Sequence, residues 1–184
     1  MPKRGNPDLK LKKLTELALL TALALIIFVI EMRFPDIVPV PGVKLGLANI
    51  ITVYAVFVYR PSETAMLVAC RIILGAMFSG NMSALLYSAS GAFFCLLGMI
   101  LISRFLKLKY IWLCSILGAM LHNTGQILAA VLIMQSTAVM SYLPVLILSG
   151  SIAGAFTGLC AQLVVNRMSQ TNKTPGDFTE FYDF

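Results

Sequence analysis

The chain has 184 residues, of which 59% are hydrophobic and only 12% are charged, and its formal net charge is +6. Soluble domains carry about 45–50% apolar and about 25% charged residues, so this balance excludes a disordered chain, a nucleic-acid binder and an ordinary soluble enzyme. An integral membrane protein of one domain, or two at most, remains.

Six runs of mainly apolar residues predict membrane-spanning helices, because a helix needs about 20 such residues to cross a bilayer. These runs cover residues 14–33, 44–59, 63–79, 83–103, 111–134 and 143–166. Short connections rich in Pro, Gly, Ser and Asn separate them. We therefore expect an all-α bundle of six transmembrane helices over residues 14–168, with a basic N-terminus at 1–13 and a polar tail at 169–184.

The positions of Lys and Arg orient this bundle, since positive residues accumulate in cytoplasmic connections. Of the 14, only Arg33 and Lys44 fall on one side, and Arg71 falls within the third run. All the others fall on the opposite side: Lys3, Arg4, Lys10, Lys12, Lys13, Arg60, Arg104, Lys107, Lys109, Arg167 and Lys173. Both termini are predicted to be cytoplasmic, and the tail is either a solvated segment or a docking peptide.

Small residues mark two helix faces for close packing, because lipid provides no hydrophobic drive between helices. The last run carries Gly150, Gly154 and Gly158 at intervals of four, and the first run carries Ala18 and Ala22 at the same interval. The glycine stripe is interpreted as a contact with another helix of the same chain, with a second protein as the alternative. The alanine pair alone indicates ordinary internal packing.

Polar residues at membrane depth are the candidate binding residues. Arg71 lies midway along the third run, where an ionisable group costs at least ~2.5–3.5 kcal/mol on insertion scales. It therefore needs a structural ion pair with Glu31 or contact with an anionic ligand. His122, Asn123 and Gln126 share one face of the fifth run, and both ligand binding and hydrogen bonds between helices remain open for them.

The connection after the first run is predicted to lie outside the cell and carries four more candidates, Glu31, Arg33, Lys44 and Asn49. Residues 34–43 combine three prolines and one glycine with exposed apolar side chains, which favours a lid over a pocket and leaves a plain linker as the alternative. Asn81 is a further candidate at the next outer connection, where a helix cap is the favoured interpretation. No metal site is expected, because His122 is the only histidine and the four cysteines form no C-x-x-C pair.

Four segments together carry a resemblance to a known family. They are Ala18-x3-Ala22, residues 40–49 (VPGVKLGLAN), residues 71–80 (RIILGAMFSG) and residues 121–126 (LHNTGQ). Over roughly residues 12–168 the chain resembles the Gx transporter family, which is also labelled heptaprenyl diphosphate synthase component I. That family is in turn similar to the substrate-binding S components of energy-coupling factor (ECF) transporters of bacterial plasma membranes.

The resemblance implies a function in uptake. S components are six-helix proteins that bind a vitamin or related micronutrient from outside, and a transmembrane coupling protein with two ATPases drives its import. Ala18 and Ala22 match the pattern that docks onto the coupling protein, and residues 34–43 match the loop that covers the ligand. The expected substrate is a small amphipathic molecule, and an anionic group on it is one option. Both an isoprenoid or quinone precursor and a vitamin or flavin-like compound fit this description.

The family label also suggests a catalytic or non-catalytic membrane subunit of isoprenoid or quinone synthesis, and a stand-alone carrier is a third option. Prenyl diphosphate synthases hold magnesium with aspartate-rich motifs, and this chain has no D-D-x-x-D. It has no Walker A motif either, so the partners would hydrolyse ATP. We therefore expect no enzyme activity and no cofactor in this chain.

Overall fold

The computed structural model describes residues 7–31, 33, 46–80, 82–106 and 108–171. Within these ranges all regular structure is helical, as predicted. The six α-helices are α1 (Pro7–Glu31), α2 (Asn49–Val58), α3 (Pro61–Ser79), α4 (Met82–Ser103), α5 (Ile111–Met134) and α6 (Leu143–Thr171). Short 3-10 turns at Leu108–Tyr110 and Thr137–Tyr142 precede α5 and α6.

Five of the helices, all except α2, are long and apolar enough to cross a membrane. Helix α2 has only 10 residues, and at 1.5 Å per residue its length is about half of the ~30 Å hydrocarbon core. The predicted run 44–59 thus contains a shorter helix than expected. Gly46 adopts a left-handed conformation with φ 69, and the turn from Gly46 to Asn49 directly precedes the helix. Six crossings therefore stay a prediction.

Helix α2 forms the centre of the bundle. It packs against α1, α3, α4 and α6. Its buried residues cover all sides of the helix and include Ile51, Val53, Ala55 and Phe57. A short helix that is apolar all round is stable only when other helices surround it, which explains why α2 is enclosed by its longer neighbours.

Helix α5 packs most extensively against α4 and α6, and glycines make both contacts close. A Cβ added at Gly154 would lie 3.0 Å from the Ser115 carbonyl oxygen, and one added at Gly158 would lie 2.7 Å from Trp112 Cα. Since no side chain fits at these points, the backbones of α5 and α6 approach each other directly. The prediction that the glycine stripe packs within the chain is confirmed.

The N-terminal half of α1 is tied to the turn between α2 and α3. Lys13 Nζ lies 2.9 Å from Glu63 Oε1, and the Tyr59 hydroxyl donates a hydrogen bond of 3.3 Å to Glu16 Oε2. These contacts bring Lys13 and Arg60, predicted to share one side of the membrane, to the same end of the bundle.

Candidate functional site

Arg71 lies on the inner face of α3. The buried residues Thr64, Leu67, Val68 and Gly75 follow the helical spacing of three and four residues, and Arg71 falls on the same stripe. The side chain is partly buried rather than exposed. The helix therefore directs a permanent positive charge into the bundle and away from lipid.

Arg71 has charged and polar neighbours but no direct partner. Cys95, Glu31 and His122 lie near it. Among the described residues, no hydrogen bond or ion pair reaches its guanidinium. Glu31, which is 6% exposed, accepts a hydrogen bond from the Gly46 backbone N–H instead. The structural ion pair with Glu31, one of the two roles considered for Arg71, is therefore not formed.

His122 and Gln126 lie on the face of α5 that packs against α4. His122 continues the buried stripe of Gly118 and Gly125, and its ring lies within reach of the Gly91 carbonyl on α4. A Cβ added at Gly91 would lie 2.9 Å from His122 Cε1 and 2.8 Å from Gln126 Cγ. Gly91 thus provides the space that both polar side chains occupy.

Asn49 begins α2 and lies beside the Cys95 thiol of α4. One helical turn further along α2, Thr52 is 2% exposed, and its hydroxyl has no hydrogen-bond partner within the described part of the chain. Thr52, Gly91 and Cys95 are not among the site residues predicted from the sequence. In the sequence, the run of small residues at 88–92 (SASGA) is the one feature that indicates Gly91. No sequence feature indicates Thr52 or Cys95.

Other candidates are placed elsewhere or are not described. The Asn123 amide donates a hydrogen bond of 2.5 Å to the Leu146 carbonyl, so it joins α5 to α6. Arg33 is exposed just beyond the end of α1. Lys44 and Asn81 lie outside the described residues, and so do residues 34–43, which are predicted to form a lid. The structure therefore brings Arg71, His122, Gln126, Asn49 and Glu31 into one region between α1 and α5.

We call this region, formed by Glu31, Asn49, Arg71, Cys95, His122 and Gln126, the inner polar cluster. It is rich in hydrogen-bond donors, since the guanidinium provides five N–H groups and no acceptor, and each of the two side-chain amides provides an NH2 group beside one carbonyl oxygen. Among the described residues, no three of His, Cys, Asp or Glu lie together as metal ligands would. The cluster is thus suited to binding a polar group by hydrogen bonds and charge.

Ala18 and Ala22 lie on the opposite, outer side of α1. Both are exposed, and so are Leu19 and Leu23 beside them. The two alanines therefore leave a shallow depression in an apolar surface that no described residue of this chain covers. This position differs from the internal packing that the alanine spacing alone indicated.

Five apolar spans around a central helix, with polar side chains inside, define a multi-pass helical membrane protein. The chain belongs to the family described as heptaprenyl diphosphate synthase component I, whose pattern matches residues 20–164. The match includes the whole inner polar cluster and Ala22. No curated protein and no solved structure shows a significant match to the chain.

Proposed function

We propose that this protein is the substrate-binding S component of an ECF-type importer in a bacterial plasma membrane. It binds a small molecule from outside at the inner polar cluster. It then delivers the molecule together with a coupling protein and two ATPases. The single observation that carries the proposal is Arg71, a charged residue directed into an apolar bundle without a partner among the described residues.

The physical reason lies in the cost of an unpaired charge at membrane depth. Insertion scales put that cost at about 2.5–3.5 kcal/mol for Arg, and polar residues retained at such positions usually serve a pathway or a ligand. A purely structural arginine would be expected to meet a carboxylate, and Glu31 is engaged with Gly46 instead. Arg71 therefore supports a ligand site better than a structural role.

Helix α1 supports the second half of the proposal, the docking of partners. The exposed Ala18 and Ala22 allow another helix to approach the backbone of α1 closely, because small residues permit such contacts in membranes. A coupling protein is the partner that the similarity to S components suggests. This chain has no Walker A motif, so ATP hydrolysis falls to the partner ATPases.

The family description favours a second candidate, a membrane subunit of heptaprenyl diphosphate synthesis. The sequence lacks the aspartate-rich motif that would hold a magnesium diphosphate, so the chain would then act as a non-catalytic partner. The two candidates differ in what accompanies the protein: an ATPase pair in the first case and a prenyl-transferring subunit in the second.

One purification experiment tests both halves of the proposal. The protein is purified from its native membrane, its partners are identified by mass spectrometry, and retained small molecules are identified by native mass spectrometry. We expect the ATPases and one retained molecule with the unmodified chain. Ala22→Trp should lose the ATPases and keep the molecule, whereas Arg71→Gln should lose the molecule and keep the ATPases.

Two matched controls accompany these variants. Leu163→Trp places the same bulk on an exposed position of α6, away from α1, and Arg104→Gln removes an exposed arginine at the end of α4; both should behave like the unmodified chain. Co-purification of a prenyl-transferring subunit without ATPases would favour the second candidate. Loss of both partners and ligand in every variant would show a folding defect, which the thermal unfolding midpoint detects.

A further inference from the structure

We infer that the ligand carries an anionic group, such as a carboxylate or a phosphate, and that Arg71 binds this group. The inference rests on the proposed function, because it assumes that the inner polar cluster is a binding site. It adds the chemical class of the ligand, which the fold and the family description leave open.

The hydrogen-bond donors around Arg71 favour a ligand that supplies oxygen acceptors. Arg71 offers only N–H donors, and none of them is used among the described residues. The amide of Gln126 lies beside Gly91 and the amide of Asn49 lies beside Cys95, and each adds an NH2 group and one acceptor oxygen. A ligand that complements such a site supplies oxygen acceptors, and a charged oxygen also offsets the buried guanidinium.

The charges in the inner polar cluster disfavour a cation as the principal group of the ligand. Glu31 is the one described carboxylate near Arg71, and it is 6% exposed with an oxygen already bonded to the Gly46 backbone. It therefore offers little free surface to a positive ligand. A cation in the cluster would also lie close to Arg71, so the repulsion of like charges disfavours it.

The native thiol of Cys95 provides a way to measure the effect of the Arg71 charge on other charged molecules. Cys95 is 2% exposed and lies beside Asn49 and near Arg71. The other cysteines, Cys70, Cys114 and Cys160, are replaced by alanine to leave Cys95 as the one reactive thiol. The probes are methanethiosulfonate reagents of similar size that carry either a sulfonate or a trimethylammonium group.

The experiment compares the two labelling rates in membrane vesicles. The Cys95 thiolate attacks the sulfenyl sulfur, a mixed disulfide forms and methanesulfinate leaves, so each event adds a known mass. Rates are normalised to those of glutathione with each reagent. We expect the anionic reagent to react about tenfold faster, because a buried charge focuses counter-ions. Arg71→Gln should abolish this preference, and Arg71→Lys should keep most of it.

Each outcome separates the inference from the proposed function. Equal rates for the two reagents in the chain with Arg71 would overturn the anionic ligand and leave an accessible site intact. A preference that survives in Arg71→Gln would overturn the assignment to Arg71. If neither reagent labels Cys95 in the folded protein, the inner polar cluster does not admit a charged group of this size and the inference fails, while the purification experiment decides the proposed function separately.

Discussion

Polar residues at similar positions along the long helices have different roles in this bundle, and the groups opposite each side chain decide its role. Arg71 and Asn123 both lie near the middle of a long helix, but Asn123 donates to a carbonyl of α6 while Arg71 meets no described partner. The sequence selected both as binding candidates because spacing reveals the shared face and not what lies opposite. The effect of replacing a glycine also depends on its neighbours, because an added Cβ meets backbone atoms at some positions and a side chain at others.

Gly158→Ala is expected to destabilise the protein. Its Cβ would meet Ser115 Cβ at 2.6 Å and Trp112 Cα at 2.7 Å, and the backbone cannot move away without separating α5 from α6. Overpacking of this kind costs about 1–3 kcal/mol. Thermal unfolding of the purified protein in detergent measures the effect.

Gly98→Ala is the matched control for that variant. A Cβ at Gly98 would meet only the side chain of Leu121, whose end can rotate away. We expect a clearly smaller loss of thermal stability than for Gly158→Ala. Equal losses would contradict the direct backbone contact between α5 and α6.

At the scale of the elements, helix ends are completed by distant parts of the chain. Helix α5 lacks a side-chain cap of its own at Tyr110. Gln162 of α6 takes this role, since its Nε2 donates 2.7 Å to the Lys109 carbonyl and its Oε1 accepts from the Trp112 N–H at 3.4 Å. Similarly, the length of α2 depends on a turn at Gly46 and on four surrounding helices rather than on its own hydropathy.

Gln162→Leu is expected to loosen the start of α5. The substitution keeps the side-chain volume and removes both hydrogen bonds, so the helix end loses a cap worth about 0.5–2 kcal/mol. Hydrogen exchange at the Trp112 amide should accelerate, and the unfolding midpoint should fall modestly. Leu163→Ala, an exposed neighbour on α6, should leave exchange at Trp112 unchanged; acceleration in both variants would contradict the capping role.

At the scale of the whole molecule, the charge distribution and the helix lengths together predict the topology. The contacts of α1 with the α2–α3 turn and of Gln162 with Lys109 place basic residues at one end of the bundle. Arg33 lies beyond the opposite end of α1. A crossing between Arg33 and Arg60 requires α2 and the residues before it to span the membrane together, because α2 alone is too short.

Cysteine labelling tests this topology. In a chain without native cysteines, single replacements at Arg33, Arg60 and Arg104 are treated with a membrane-impermeant maleimide in intact cells. We expect labelling at position 33, and at 60 and 104 only after the membrane is permeabilised. If positions 33 and 60 are both labelled from the same side of the membrane, α2 does not complete a crossing of the membrane.

The sequence by itself determined the class of protein, the long helices and the distribution of charge between the ends. These features follow from local composition: hydrophobic runs must avoid water, and turn-forming residues end helices wherever they occur. It also selected Arg71 as a residue that needs a partner, because the cost of a buried charge does not depend on the fold.

Only the tertiary structure decided which polar residues meet. It gathered Arg71, His122 and Gln126 into one cluster, assigned Asn123 to the contact with α6 and left Ala18 and Ala22 exposed on α1. It also shortened α2 to 10 residues and enclosed it. The physical reason is that a helical face is periodic in sequence, but its partner is set by how helices cross, and that crossing depends on side chains distant in the chain.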